Sequence, residues 1–241
     1  MHRYLLVLSA LVGIFSSTLV LAQQPFQRKD HKWEVSVFAG SSHRGDGVFP
    51  TTFTDTAVPP QVTSNNVGLS FASGYIVGAR VTENLGKYFG AELEYSLSNQ
   101  PLVFTNLTPD ISRVSVDHRV HQITYVVLVY GLPRSSRWRP YGLVGPGISL
   151  YEFFGDKEDD AIARGLSLKD RWKFGATFGG GVKYRVTDQV GLRFDVKDHL
   201  TGVPDFGLPA TGTATAPGFR PDGTLQNWQF TIGLSYLFSD R

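Results

Sequence analysis

Hydrophobic and polar residues alternate along most of this chain with a period of two. In "NWQFTIGLSYLF" (227–238), Trp228, Phe230, Ile232, Leu234, Tyr236 and Phe238 share one parity, and Gln229, Thr231, Gly233 and Ser235 share the other. Such alternation predicts a β-strand with one apolar and one polar face. Seven further segments read as strands, at 32–40, 68–82, 87–98, 114–132, 138–153, 172–186 and 189–199. The segment 87–98 is the cleanest: Phe89, Ala91, Leu93, Tyr95 and Leu97 oppose Gly90, Glu92, Glu94 and Ser96. In 68–82, Phe71, Tyr75, Val77, Ala79 and Val81 oppose Gly74, Gly78, Arg80 and Thr82. An apolar run blurs the parity of 114–132, and 138–153 leaves its parity open, though Val144, Ile148 and Leu150 oppose Gly145, Gly147 and Ser149. No run reads as an amphipathic helix of useful length; "DKEDDAIARGLSLKD" (156–170) has room for one helical turn.

The links between strands alternate in length. Those at 83–87, 133–137 and 187–189 are short, and those at 41–67, 99–113, 155–171 and 199–225 are long. Long structureless loops are uncommon in a compact soluble domain. Short turns at one end and long loops at the other are expected of an outer-membrane barrel. The polar faces carry charge: Glu34, Arg80, Glu92, Glu94, Lys173, Lys183, Arg185, Arg193, Asp195 and Lys197, whereas the opposite faces of these segments carry none. A soluble sandwich would turn these charges to water. A membrane barrel would turn them inside, where they must pair. The aromatics favour the barrel, because Trp33, Tyr75, Tyr95, Trp138, Trp172, Tyr184, Trp228, Tyr236 and Phe238 cluster toward strand ends, where interfacial girdles lie.

The start of the chain is consistent with export. Arg3, an apolar stretch from Leu5 to Leu21 and the small residue Ala22 before Gln23 read as a secretory signal peptide over 1–22. The barrel domain would then run over 23–241, opening on a short periplasmic segment at 23–32. The chain has no cysteine, so its stability is expected to owe nothing to disulfides. Its net charge of +2 gives no case for nucleic-acid binding.

The segments "SGYIVGARVTENLGKYFGAELEYS", "RPYGLVGPGISLYEF" and "FGGGVKYRVTDQVGLRFDVKDH" resemble the repeating hairpins of small eight-stranded outer-membrane barrels of the OmpA/OmpX type. Each joins a Gly-rich strand, a tight polar turn, and a strand mixing aromatics with charge. The resemblance covers the mature chain. It implies an all-β fold, an eight-stranded antiparallel up-and-down transmembrane β-barrel in the outer membrane of a Gram-negative-type bacterium. Its implied partners are outer-membrane lipid and the barrel-assembly machinery, which would read the C-terminal strand. Such barrels often end on an aromatic residue; here Ser239, Asp240 and Arg241 follow Phe238. No tether to the cell wall is expected.

Candidate chemistry is sparse. His118 and His121 are three apart, so on a strand they face opposite ways and do not share an ion without a bulge. Asp198-His199 lies at the mouth of a long loop, but no close match to a rim-loop His/Ser enzyme is present. "GPG" (145–147) and "GGG" (179–181) do not precede helices and are not phosphate loops. "RGD" (44–46) and the acidic "DKEDD" (156–160) read as a chance match and a solvated loop. No catalytic residue, metal or cofactor is expected. The expected interior network is Glu34, Arg80, Glu92, Glu94, Lys183, Arg185, Arg193, Asp195 and Lys197, with Glu92 or Glu94 pairing Arg193 or Lys197. Eight strands enclose a space that side chains can fill. The expected role is structural or surface-interactive, through the four long loops. The alternatives are a narrow channel or small-solute porin, a rim-loop lipid-modifying enzyme, and a soluble lipocalin-like binder.

Overall fold

The computed structural model describes residues 31–45, 47–54, 62–108, 111–154, 168–208, 218–219 and 221–239. Its strands are β1 (His31–Arg44), β2 (Gly47–Thr54), β3 (Val62–Phe71), β4 (Gly74–Glu83), β5 (Phe89–Asn99), β6 (Leu102–Thr108), β7 (Ile111–Val116), β8 (His118–Tyr130), β9 (Trp138–Phe153), β10 (Arg171–Arg185), β11 (Val190–Gly202), β12 (Gly218–Phe219) and β13 (Thr224–Ser239). Eight of them close a barrel in the order β1-β13-β11-β10-β9-β8-β5-β4. Every neighbouring pair is antiparallel. Strands β1 and β13 make the closing seam, with Trp33 opposite Phe238 and Val35 opposite Tyr236.

The alternation becomes an inverted molecule. Phe230, Ile232 and Leu234 are about half exposed, while Gln229, Thr231 and Ser235 on the same strand are buried. Strand β8, whose parity the sequence blurs, turns Ile123, Tyr125, Val127 and Val129 outward and Gln122, Thr124, Val126 and Leu128 inward. Between Trp228 and Tyr236 the outward band spans about 27 Å of strand, or about 20 Å of height after a barrel tilt near 40°. That height suits the apolar band of an outer membrane.

The long links are not bare loops, which corrects the expectation for 41–67 and 99–113. A second sheet, ordered β12-β2-β3-β6-β7, is built from them beyond the barrel's outer end. The segment 68–82 is likewise two strands rather than one. It breaks at Ala72-Ser73, where the Ala72 amide donates to the Pro101 carbonyl at 3.0 Å. Phe71 therefore does not share a face with Tyr75; it is buried in the cap while Tyr75 is exposed. At the break the chains pass closely, since a Cβ on Gly74 would lie 1.9 Å from the Asn99 carbonyl oxygen. The signal-peptide region 1–22, residues 23–30, the acidic run 156–160 and the tail residues Asp240 and Arg241 lie outside the described residues.

Candidate functional site

The barrel interior is filled in layers. Nearest the short turns, the Lys183 ammonium donates to Glu34 Oε2 at 2.6 Å. Asn84 Nδ2 donates to Glu34 Oε1 at 2.8 Å, and Arg139 Nη1 donates to Asn84 Oδ1 at 2.5 Å. The Arg139 guanidinium also lies 3.3 Å from the Tyr130 ring centroid. Arg185 is buried in this layer and donates to the Arg134 carbonyl at 3.0 Å.

The next layer reaches across the interior from β4 and β5 to β11. Arg80 Nη1 donates to Asp195 Oδ2 at 2.7 Å, and its Nε lies 3.3 Å from Glu94 Oε2. Arg193 Nη2 donates to Glu92 Oε1 at 3.0 Å, and Arg193 Nε to Asp195 Oδ1 at 3.0 Å. Lys197 donates to Glu94, and the Tyr141 hydroxyl donates to Asp195. Thr82 Oγ1 donates to Glu92 Oε2 at 2.6 Å. Three carboxylates thus meet three cations, so the layer is neutral, and all six side chains are at most 3% exposed. A neutral cluster in which every charge has an opposite partner can tolerate burial that an unpaired charge cannot. Phe38 packs against it, 4.0 Å from the Arg80 guanidinium. Only glycine at position 78 leaves room for that ring, because a Cβ there would sit 2.4 Å from Phe38 Cζ.

Higher still, Thr177 Oγ1 and Ser149 Oγ flank His199 at 2.6 and 3.1 Å from Nδ1 and Nε2. This Ser/His pair is sealed inside the barrel, and neither ring nitrogen meets a carboxylate. Asp198 faces the other way and accepts the Asn227 amide N–H at 3.0 Å. His118 and His121 also part company. His118 is buried, whereas His121 lies outside between Tyr95 and Glu152, at 2.8 and 2.9 Å. Arg44 of the "RGD" triplet points into the barrel and is buried; Asp46 lies outside the described residues.

Above the barrel the cap has an apolar core. Leu69, Phe71, Leu102, Phe104, Tyr151, Phe153, Phe206 and Leu225 are among its buried members. Phe206 takes φ 52°, a conformation rare for a bulky residue, and Gly207 follows at φ 78°. The strain of Phe206 is offset by edge contacts with Phe104, Tyr151 and Phe153 at 6.0, 6.3 and 5.3 Å between centroids. Asp205, in the same loop, is pushed up by partial burial, yet the hydrogen bond from Arg171 Nε at 2.6 Å holds its carboxyl below the usual range.

On the outside the structure places Trp33, Trp138, Tyr184, Tyr236 and Phe238 toward the short-turn end, and Tyr75, Tyr95, Trp172 and Trp228 toward the cap. Trp138 and Tyr184 pack with centroids 4.4 Å apart. Several interior residues went unnoticed in the sequence reading: Phe38, Asn84, Tyr130, Arg139, Tyr141 and Arg44. Parity alone could have found Phe38 and Arg44, because both continue the inward series begun by Glu34 and Ser36.

A closed antiparallel barrel with an apolar exterior, a charged interior and aromatic belts defines an integral outer-membrane β-barrel protein. The family model for the outer membrane protein beta-barrel domain matches residues 9–238, and the chain belongs to that family. It is a protein of the Gram-negative outer membrane. Among solved structures, OprG from Pseudomonas aeruginosa is similar at TM-score 0.61 and 14% identity, covering 88% of this chain and 98% of that one. The outer membrane protein W of E. coli aligns at TM-score 0.35 and 22% identity, over 88% and 100% of the two chains. The attachment invasion locus protein of Yersinia pestis aligns at TM-score 0.40 and 12% identity, over 86% and 99%. No curated protein matches the chain.

Proposed function

We propose that this protein is a closed barrel that anchors a folded cap outside the cell, with a structural and surface-interaction role and no catalysis. The observation that carries this reading is the neutral, buried layer of Arg80, Glu92, Glu94, Arg193, Asp195 and Lys197, which spans the interior from β4 and β5 to β11. A tube filled in this way does not suit solute passage, which leaves the cap as the working surface. The sealed Ser149/His199 pair, with no carboxylate on the ring, supports the non-catalytic part. Strand β13 would carry the signal for the assembly machinery.

Cells lacking the gene separate the two duties. They are complemented with the full chain, or with a chain whose residues 46–70 and 102–116 are replaced by short turns. The shortened barrel should still migrate as a heat-modifiable band and restore resistance of the envelope to detergent, while failing to restore adhesion of cells to surfaces. Adhesion equal to that given by the full chain would remove the surface role.

A further inference from the structure

A second polar layer lies between the acid–base network and the apolar cap core, and it is built differently. Arg44 ends β1 on the inward parity and is 7% exposed. Across the seam it pairs with Asn227, whose other register partner is His199. Arg44 Nη2 donates to Ser98 Oγ at 3.4 Å, but among the described residues Nε and Nη1 have no acceptor. The guanidinium lies 5.6 Å from the Phe71 centroid and 5.3 Å from that of Tyr151. His118, fully buried, shares those two rings at 5.6 and 5.9 Å. Its Nδ1 donates to the Gln100 carbonyl at 2.5 Å, and its Nε2 has no partner. Asn227 Oδ1 accepts from Ser42 Oγ at 2.7 Å, which leaves its Nδ2 as a further unpartnered donor.

The contrast with the other interior cations is chemical. Arg80, Arg193, Lys183 and Lys197 each meet a carboxylate. Arg139 spends its nitrogens on the Leu132 and Lys87 carbonyls and on Asn84 Oδ1. Among the described residues no carboxylate reaches Arg44: Glu94 is taken by Lys197 and Arg80 in the layer below, and Asp198 has the outward parity. A guanidinium does not shed its proton, so its charge persists in the interior. Two ring faces offset part of the burial cost but supply no hydrogen-bond acceptor. Low polarity above and a neutral cluster below leave the positive potential of this layer weakly screened.

We propose that this layer binds one small monovalent anion, a halide or the carboxylate of a small acid. Arg44 supplies the charge and two donors, the Asn227 amide supplies a neutral donor, and Phe71 and Tyr151 wall the site. The apolar core directly above limits the guest to a few atoms.

The full chain, refolded into detergent micelles in sodium sulfate, is titrated with sodium bromide and separately with sodium formate at constant ionic strength. Thermal unfolding is followed in each, and crystals grown in bromide are examined for anomalous density. The midpoint should rise saturably with one or both anions, bromide marking halide selectivity and formate carboxylate selectivity. Arg44→Met should weaken that response at least about tenfold, as loss of charged hydrogen bonds requires. Bromide density should stand within about 3.5 Å of the Arg44 guanidinium. Equal anion responses in the wild type and Arg44→Met would overturn the proposal. So would a bromide map with no density at Arg44 together with a wild-type midpoint that formate does not raise, both of which read out on the wild type even if the variant fails to fold; the layer would then be satisfied by water alone.

Discussion

The middle of the barrel and the core of the cap are filled by opposite means on the same strands. Along β9 the inward residues are Arg139 and Tyr141 near the short turns, then Ser149, and finally Tyr151 and Phe153 under the cap. The outward residues run the other way: Val144 and Leu150 face lipid, and then Glu152 takes an ion pair with Arg119 at 2.7 Å. Both faces change character at the same height. Below it lipid accepts apolar side chains, so the polar ones go inside; above it water accepts the polar side chains, so apolar ones go inside. The strand period never changes. Only the solvent does, and the belt of Tyr95, His121 and Glu152 marks where.

This contrast predicts unequal responses to mutation, read by urea unfolding in bilayers and by proteolysis of the cap. Arg193→Met leaves Glu92 and Asp195 buried without their main partner, and it should cost about 3–5 kcal/mol of barrel stability. Adding Glu92→Gln should recover part of that loss; additive losses would mean that the pair is not coupled. Phe206→Ala should cost about 3 kcal/mol, the lower end for a buried Phe, because removing the ring leaves the strained φ with less to hold it. The damage should be confined to the cap, so proteases should cut the cap while heat-modifiable migration persists. If barrel and cap unfold together in that variant, the two cores are one cooperative unit.

Smaller effects sharpen the picture. Gly78→Ala pushes a methyl into Phe38 and should cost about 1–3 kcal/mol, read as a lower urea midpoint. Partial restoration by Phe38→Leu would trace that share of the loss to the ring, because the Tyr95 carbonyl oxygen, also 2.4 Å from the added Cβ, stays in place. The weakest effect belongs to the Arg171–Asp205 pair, whose side chains are 35% and 45% exposed. Its carboxyl is held low in the folded state, so its contribution is present above the unfolded carboxylate range, near pH 4, and is lost as pH falls through the lower folded value. Asp205→Asn should therefore cost less than about 1 kcal/mol at pH 7, with the difference from wild type vanishing in acid. A difference that grows in acid would contradict the sign.

The barrel was legible in the sequence because lipid on one side and a paired interior on the other enforce strict alternation. "AELEYS" shows Leu93 and Tyr95 outside against Glu92, Glu94 and Ser96 inside. The cap strands were not legible for the converse reason. "GVFPTTFT" and "VTSNNVGLSF" carry Pro50 and runs of Thr, Ser and Asn, so no period of two survives, and the latter fused with β4 into one apparent strand. The inward charges could be named from parity, and the expected pairing of Glu92 or Glu94 with Arg193 or Lys197 is met by Arg193–Glu92 and Lys197–Glu94; the meeting of Arg80 with Asp195, on strands far apart in the chain, was not legible. Arg44 escaped because the apolar alternation of β1 fades at Gly40, while the strand itself continues four residues further.

The central claim is that this acid–base layer shuts the barrel. Single-channel recording in planar bilayers with the refolded full chain tests it most directly. The account predicts a silent baseline for the wild type at moderate voltage, with conductance steps appearing in Arg193→Met, whose layer is broken. Steady unitary conductance from the wild type would contradict it.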